Sequence, residues 1–229
     1  MLDLTDSDNN ITSLLGYVDS KVVIFMDSAL SELANTIFLE LKENYIKSLI
    51  EILPSGIIMK QIFNEDVKFG NLIYDKPPRI LILPSSEISS LKQWELLLAV
   101  ANFVKIKMFI ATELDDICKA KRIAIVNPEY SVFSINFIKS YKCHGELVLV
   151  KNDGEVIKEL KKGNVDAGVT WFHSAKANGL KGYELNKTFT IQIGLFKGAD
   201  KTLINAFEIL RNSHAIREYA EKIGMVWLG

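Results

Sequence analysis

The chain has 229 residues, of which 48% are hydrophobic and 24% charged, with a formal net charge of −1. That length can bury a sizeable core, as one large domain or as two lobes of about 100 residues each. The near-zero charge excludes a global field favouring nucleic acid or an anionic membrane. No run reaches the ~18 apolar residues that a membrane span needs.

The N-terminus, MLDLTDSDNN, has no basic start, apolar run or small-residue cleavage site, so no signal peptide is read there. The compartment is therefore the cytoplasm, unless a leader or anchor was removed before residue 1. Residues 1–20 carry little pattern and are expected to form a loose or partly helical arm. Residues 21–26 (KVVIFM) read as a short buried strand. Asp27 and Ser28 follow, then a helix with Leu30, Leu33, Ala34, Ile37, Phe38 and Leu41 on one face.

The unit repeats down the chain. Pro54, Ser55 and Gly56 make a turn into a helix over 57–63, and 79–83 (RILIL) is a strand ended by Pro84, Ser85 and Ser86. A helix is expected over 94–101 and strands over 104–111 and 122–126, the latter ended by Asn127 and Pro128. A helix over 134–141, a strand over 146–150 and a helix around Val156, Ile157 and Leu160 come next, with Gly163 as its stop. Strands at 167–170 and 189–195 precede two closing helices, 203–210 and 215–223, the second stopped by Gly224. Alternating strands and helices predict an α/β fold with largely parallel sheets. Phe25, Phe38, Phe137 and Phe207 sit at core spacing.

Cys118 and Cys143 form no CxxC pair, and two unrelated free thiols are expected, with a disulfide as the alternative. His144, His173 and His214 are scattered without metal-ligand spacing, and His173 is expected to be packed or on the surface. No nucleophile elbow, phosphate loop or dinucleotide fingerprint occurs. No catalytic residue, metal or cofactor is assigned.

In open α/β sheets, ligands sit beyond the C-terminal ends of strands, where helix N-termini present free amides. Four turns qualify: 27–29, 54–56, 130–133 and 152–154. Each alone is accounted for as an N-cap, because Ser, Asp and Asn bond the amides of their own helices.

In their order these turns resemble the periplasmic type II solute-binding proteins, most closely the molybdate/tungstate-binding branch. VVIFMDSALSELANTIFLEL resembles the first strand, serine turn and helix of that family, and SGIIMKQIF its second serine turn. RIAIVNPEYSVFSINFI is similar to the opening of the second lobe. LKKGNVDAGVTWFHSAKANGL is the most specific, with its glycine stop, Asp-Ala-Gly strand and cleft aromatic. AIREYAEKIGMV resembles the terminal helix. The likeness spans residues 21–229.

The resemblance implies a two-lobed fold with lobe one at 1–103 plus 195–229, and lobe two at 104–194. It implies a ligand bound by Ser28 and Ser55 from lobe one, and by amides near Val132 and Asp153 and the ring of Trp171 from lobe two. Molybdate or tungstate is the implied ligand and an ABC permease the implied partner. Nucleic acid is not expected, a monomer is, and the family's location is extracytoplasmic. There are departures. Trp171 stands where the family has a tyrosine, Asp27 where it prefers a small residue, and Arg79 where an aspartate beneath the cleft is expected. Asp153 occupies a ligand-amide position. One carboxylate at ~6 Å repels a dianion by about 5 kcal/mol at an effective dielectric of 20, whereas a helix N-terminus returns at most ~2 kcal/mol. An oxyanion therefore survives only if both aspartates turn toward their own helices. A cytoplasmic sensor domain of the same fold and an enzyme using Asp27 with Asp153 as acid–base pair are the competing functions.

Overall fold

The computed structural model describes residues 2–3, 13–63, 67–69, 72–74 and 77–229. Along the chain, β1 (Leu2–Asp3), β2 (Leu14–Gly16) and β3 (Val22–Asp27) lead into a 3-10 stretch, Ser28–Leu33, and α1 (Ala34–Glu43). Next come β4 (Ser48–Leu53), α2 (Ser55–Ile62), β5 (Val67–Phe69), β6 (Leu72–Tyr74), β7 (Ile80–Pro84) and α3 (Ser85–Gln93). A long strand, β8 (Leu97–Thr112), precedes a 3-10 turn, Ile117–Lys119, β9 (Arg122–Val126), α4 (Val132–Ile138), β10 (Glu146–Val150) and α5 (Asp153–Lys161). The chain ends with β11 (Ala167–Trp171), α6 (Phe172–Ala177), β12 (Gly182–Phe196), α7 (Lys201–Asn212), α8 (His214–Ile223) and β13 (Val226–Trp227).

Nine of the strands form one sheet in the order β10-β9-β11-β8-β12-β7-β3-β4-β2, with β13 added against β8. β3 is parallel to β4 and β7, and β9 is parallel to β10 and β11. Between these parallel sets lie the long antiparallel strands β8 and β12, whose pairing slips at Glu184/Thr188, Ile191/Gln192 and Leu195/Phe196. Both sets direct their carboxyl ends to one shared contact.

β3 is apolar from Val22 to Met26 because it is buried on both faces. Val22, Ile24 and Met26 face α1, α7 and α8, while Val23 and Phe25 face α2 and α3. A smaller cluster, Ala124, Val126, Val150, Val156 and Val165, holds α5 against β9 and β10. Phe137 and Phe207 are buried with Phe25, and Phe38 packs at the edge of the core. Gly163 and Gly224 lie just past α5 and α8 with positive φ, as helix stops do. Among the described residues, no helix is long and apolar enough to cross a membrane.

Several expectations are corrected. Residues 14–16 are an edge strand paired with β4 rather than part of a helical arm, while 4–12 lie outside the described residues. The helix placed at 94–101 is instead α3 at Ser85–Gln93, and Leu97 already belongs to β8. α3 contributes only Ile88 and Leu91 to the core, too weak a stripe to read, whereas the Leu-rich run after it imitates a helix face.

Cys118 and Cys143 are joined in a disulfide, not free. Topology brings them together. β9 and β10 are parallel neighbours with Arg122 opposite Glu146, so the segments entering them run side by side, and the Cα atoms are 4.9 Å apart. Closing a loop of this length, a separation of 25 residues, stabilises by about 3 kcal/mol in the chain-entropy view. At roughly 2–4 °C per kcal/mol for this size, Cys118→Ser is expected to lower Tm by about 6–12 °C. A scan of the oxidised parent beside the variant checks this, and equal Tm values would refute it.

Candidate functional site

Every turn in the contact follows a strand that ends there. β3 ends at Asp27, whose buried carboxylate accepts Ala29 N–H at 2.8 Å and Ser55 N–H at 3.0 Å. One carboxylate thus closes its own turn and the N-terminus of α2 together. The Ser55 hydroxyl donates to Glu87 Oε1 at 3.2 Å, and the second Glu87 oxygen accepts the Ser86 hydroxyl. From the other set, Asp153 opens α5 but does not cap it, because Asn152 accepts Glu155 N–H in that role. Asp153 is therefore free to reach across. Its carboxylate accepts the Ser28 hydroxyl at 2.5 Å and the Trp171 indole N–H at 2.7 Å.

Two more bonds cross the contact. His173 Nε2 lies 2.7 Å from the Ala29 carbonyl, so that nitrogen carries the proton it donates. Gly56 N–H donates to the Tyr130 carbonyl at 2.8 Å. Behind Asp153, Trp171 is 2% exposed and meets Phe133 edge-on at 4.5 Å between ring centres, with Phe189 completing the group.

Burial dominates the electrostatics. It raises the Asp27 carboxyl to about 8, with the charges of Asp153 and Glu87 adding to the effect against the pull of Ala29 and Ser55. Asp153 is raised by burial despite its bonds from Ser28 and Trp171. Glu32, which accepts a hydrogen bond from Ser174, and Glu87 are raised by burial as well. Burial drives His173 down to about 4. Although Glu32 lies 3.7 Å from Nε2, the neutral ring with its proton on Ala29 makes this a contact rather than an ion pair.

The structure therefore brings Ser28, Asp153 and Trp171 together and places Ser55 one carboxylate away, on Asp27 and Glu87. Val132 is half-buried against the apolar core, and its neighbours Ser131, Phe133 and Ser134 line the space beside Asp153. Arg79 is not beneath the cleft. It precedes β7 at the end opposite Pro84 and donates to the Gly198 carbonyl at 2.9 Å. Neither aspartate turns only to its own helix, so the condition for oxyanion binding is not met in this arrangement. His173 is packed, 1% exposed. Sequence reasoning missed Glu32, Glu87 and Thr170. Glu87, an acid in the first turn of a helix after a strand-ending proline, carried a readable signal. The others become neighbours only through the tertiary fold. Among the described residues, no group of His, Cys, Asp and Glu is arranged to hold a metal.

No family model and no curated protein matches the chain. Solved structures do. The Azotobacter vinelandii periplasmic molybdate-binding protein aligns at a TM-score of 0.68 and 13% identity, over 90% of this chain and 99% of that one. Peb3 from Campylobacter jejuni aligns at 0.56 and 16%, over 90% and 99%. The substrate-binding protein of an amino acid ABC transporter aligns at 0.53 and 14%, over 89% and 98%. The chain has the two-lobed α/β fold of periplasmic binding proteins.

Proposed function

We propose that the chain is an extracytoplasmic solute-binding protein that closes around a small ligand and delivers it to an ABC permease, acting by binding rather than catalysis. The observation that carries this reading is the facing of two sets of strand ends, bridged by Ser28–Asp153, Ala29–His173 and Gly56–Tyr130. Lobe one comprises residues up to about 103 and the chain after about 194, and lobe two the residues between. The hinge lies in β8 and β12, where the register slip at Ile191/Gln192 falls opposite Asn102–Val104 and interrupts the ladder at the crossing. The disulfide suits an oxidising compartment, and two of the structural neighbours named above are binding proteins by name.

Molybdate or tungstate, the ligand implied by the sequence resemblance, is the less favoured occupant. Of its implied donors, the Ser28 hydroxyl is held by Asp153 and the Ser55 hydroxyl by Glu87, and a dianion would have to displace both carboxylates. A thermal-unfolding screen of small amines and oxyanions tests the function. A true ligand at 100 times its Kd adds about 2.7 kcal/mol, or a Tm rise of roughly 5–11 °C at this size. A Tm unmoved by every solute at millimolar concentration would sink the binding role.

A further inference from the structure

Asp153 stands between two voids in the contact. The inner one, about 10 Å³, lies among Ser131, Phe133, Ser134, Thr170 and Trp171 and has room for about one water-sized group. Thr170 is 2% exposed and is among the residues that line this void, and its hydroxyl has no hydrogen-bond partner. The outer pocket, about 190 Å³, is bounded by Ser31, Glu32, Gly154, Ser174 and Asn178. That is below the roughly 300–1,000 Å³ of drug-sized sites, so its occupant is small.

The charge around these voids is one-sided. Asp153 lines both, Glu32 lines the outer one, and Asp27 and Glu87 stand behind Ser28 and Ser55. No lysine or arginine lines either void. Lys161 reaches only the rim, with Nζ on Asn178 Oδ1 at 2.7 Å, and Lys60 lies over the Tyr130 ring at 5.8 Å. His173, the remaining titratable neighbour, is held as a neutral donor to Ala29. Buried carboxylates without a counter-charge are unfavourable. A positive ligand relieves them and a negative one compounds them. An unpartnered hydroxyl can serve either sign, and the carboxylate beside it decides.

Resting on the solute-binding reading, we propose that the ligand is a small cationic amine whose protonated nitrogen occupies the inner void. There it donates to Asp153 and the Thr170 hydroxyl and lies against the aromatic rings of Trp171 and Phe133. The rest of the molecule extends past Asp153 toward Glu32. Three N–H donors on a head group the size of one water match the acceptors present, and aromatic rings attract a desolvated cation.

Calorimetric titration of the full chain with ethanolamine, putrescine and molybdate at pH 6.5 and pH 8.0 tests this. An amine is expected to bind, with affinity rising up to about tenfold per pH unit as carboxyl protons leave. Thr170→Val is expected to weaken that binding about tenfold, the loss of one buried hydrogen bond. Asp153→Asn is expected to weaken it by about a hundredfold or more, with circular dichroism confirming that both variants fold. Molybdate binding that strengthens as pH falls, with neither amine binding, overturns the amine and leaves the solute-binding reading intact. No binding by either amine overturns the amine, the wider thermal-unfolding screen deciding separately on the solute-binding reading, and full amine affinity in folded Thr170→Val removes the nitrogen from the inner void.

Discussion

Parent protein is expected to lose stability as pH rises from 6.5 to 8, and Asp27→Asn is expected to reduce that loss. The Asp27 carboxyl titrates at about 8 in the fold, against an ordinary 3.8, chiefly through burial and then through Asp153. Between those values the folded state holds a proton that the unfolded chain has released. Stability contributed by a raised carboxyl is present below the unfolded pKa and lost as pH rises through the folded one. The limiting slope for one group is about 1.4 kcal/mol per pH unit, so Asp27 alone removes up to about 2 kcal/mol across this window. Glu51, raised by burial to about 7, adds to the early part. His173 works the other way, because its lowered value makes stability rise with pH between about 4 and 6.5, so the window above 6.5 avoids it. Asparagine keeps one acceptor for Ala29 or Ser55 and has no proton to lose. It is therefore expected to be the less stable form at low pH and to match or exceed the parent at pH 8. Urea denaturation at half-unit pH steps measures both slopes, and a parent whose stability is flat or rising from 6.5 to 8 would show that Asp27 is ionised throughout.

Much of the fold is legible where burial writes itself into short runs. The segments 22–26, 80–83 and 123–126 are strands flanked by the turns that end them, because parallel strands covered on both faces need apolar residues at every position, whereas 146–150 is an edge strand that is only partly buried. The long strands β8 and β12 are less legible. Their burial changes along their length, and β8 begins half-exposed at Leu97 and becomes fully buried only toward Thr112, so no single period describes it. The candidate site divides the same way. Ser28, Asp153 and Trp171 sit at strand ends, where topology says ligands lie, and they were readable. That Asp153 itself takes up the hydroxyl and the indole N–H was not, because it depends on how far the two halves close. The pairing of Cys118 with Cys143 depends likewise on β9 and β10 being neighbours, which spacing does not encode.

The degree of closure can be altered at one atom. Gly56 lies in the first turn of α2, and a Cβ there would stand 2.8 Å from the Tyr130 carbonyl oxygen, 2.9 Å from its carbon and 3.0 Å from its Cα. All three are backbone atoms, so no side chain can swing aside. Alanine is otherwise favourable at this position, since it improves the helix by about 1 kcal/mol relative to glycine. Gly56→Ala therefore separates local from interlobe stability, leaving lobe one as stable as before or slightly more so while driving the loop before α4 away. Overpacking of this kind typically amounts to about 1–3 kcal/mol, which shifts the balance between closed and open forms about 5- to 150-fold. The Gly56–Tyr130 bond breaks first, and the Ser28–Asp153 and His173–Ala29 bonds loosen with it. Small-angle scattering of the ligand-free variant is expected to show a larger radius of gyration than the parent, with an unchanged Tm. Apparent ligand affinity falls by up to the same factor, in proportion to the loss of the closed fraction. If Gly56→Ala scatters like the parent and binds as tightly, the Gly56–Tyr130 contact does not govern closure and the hinge reading loses its strongest geometric support.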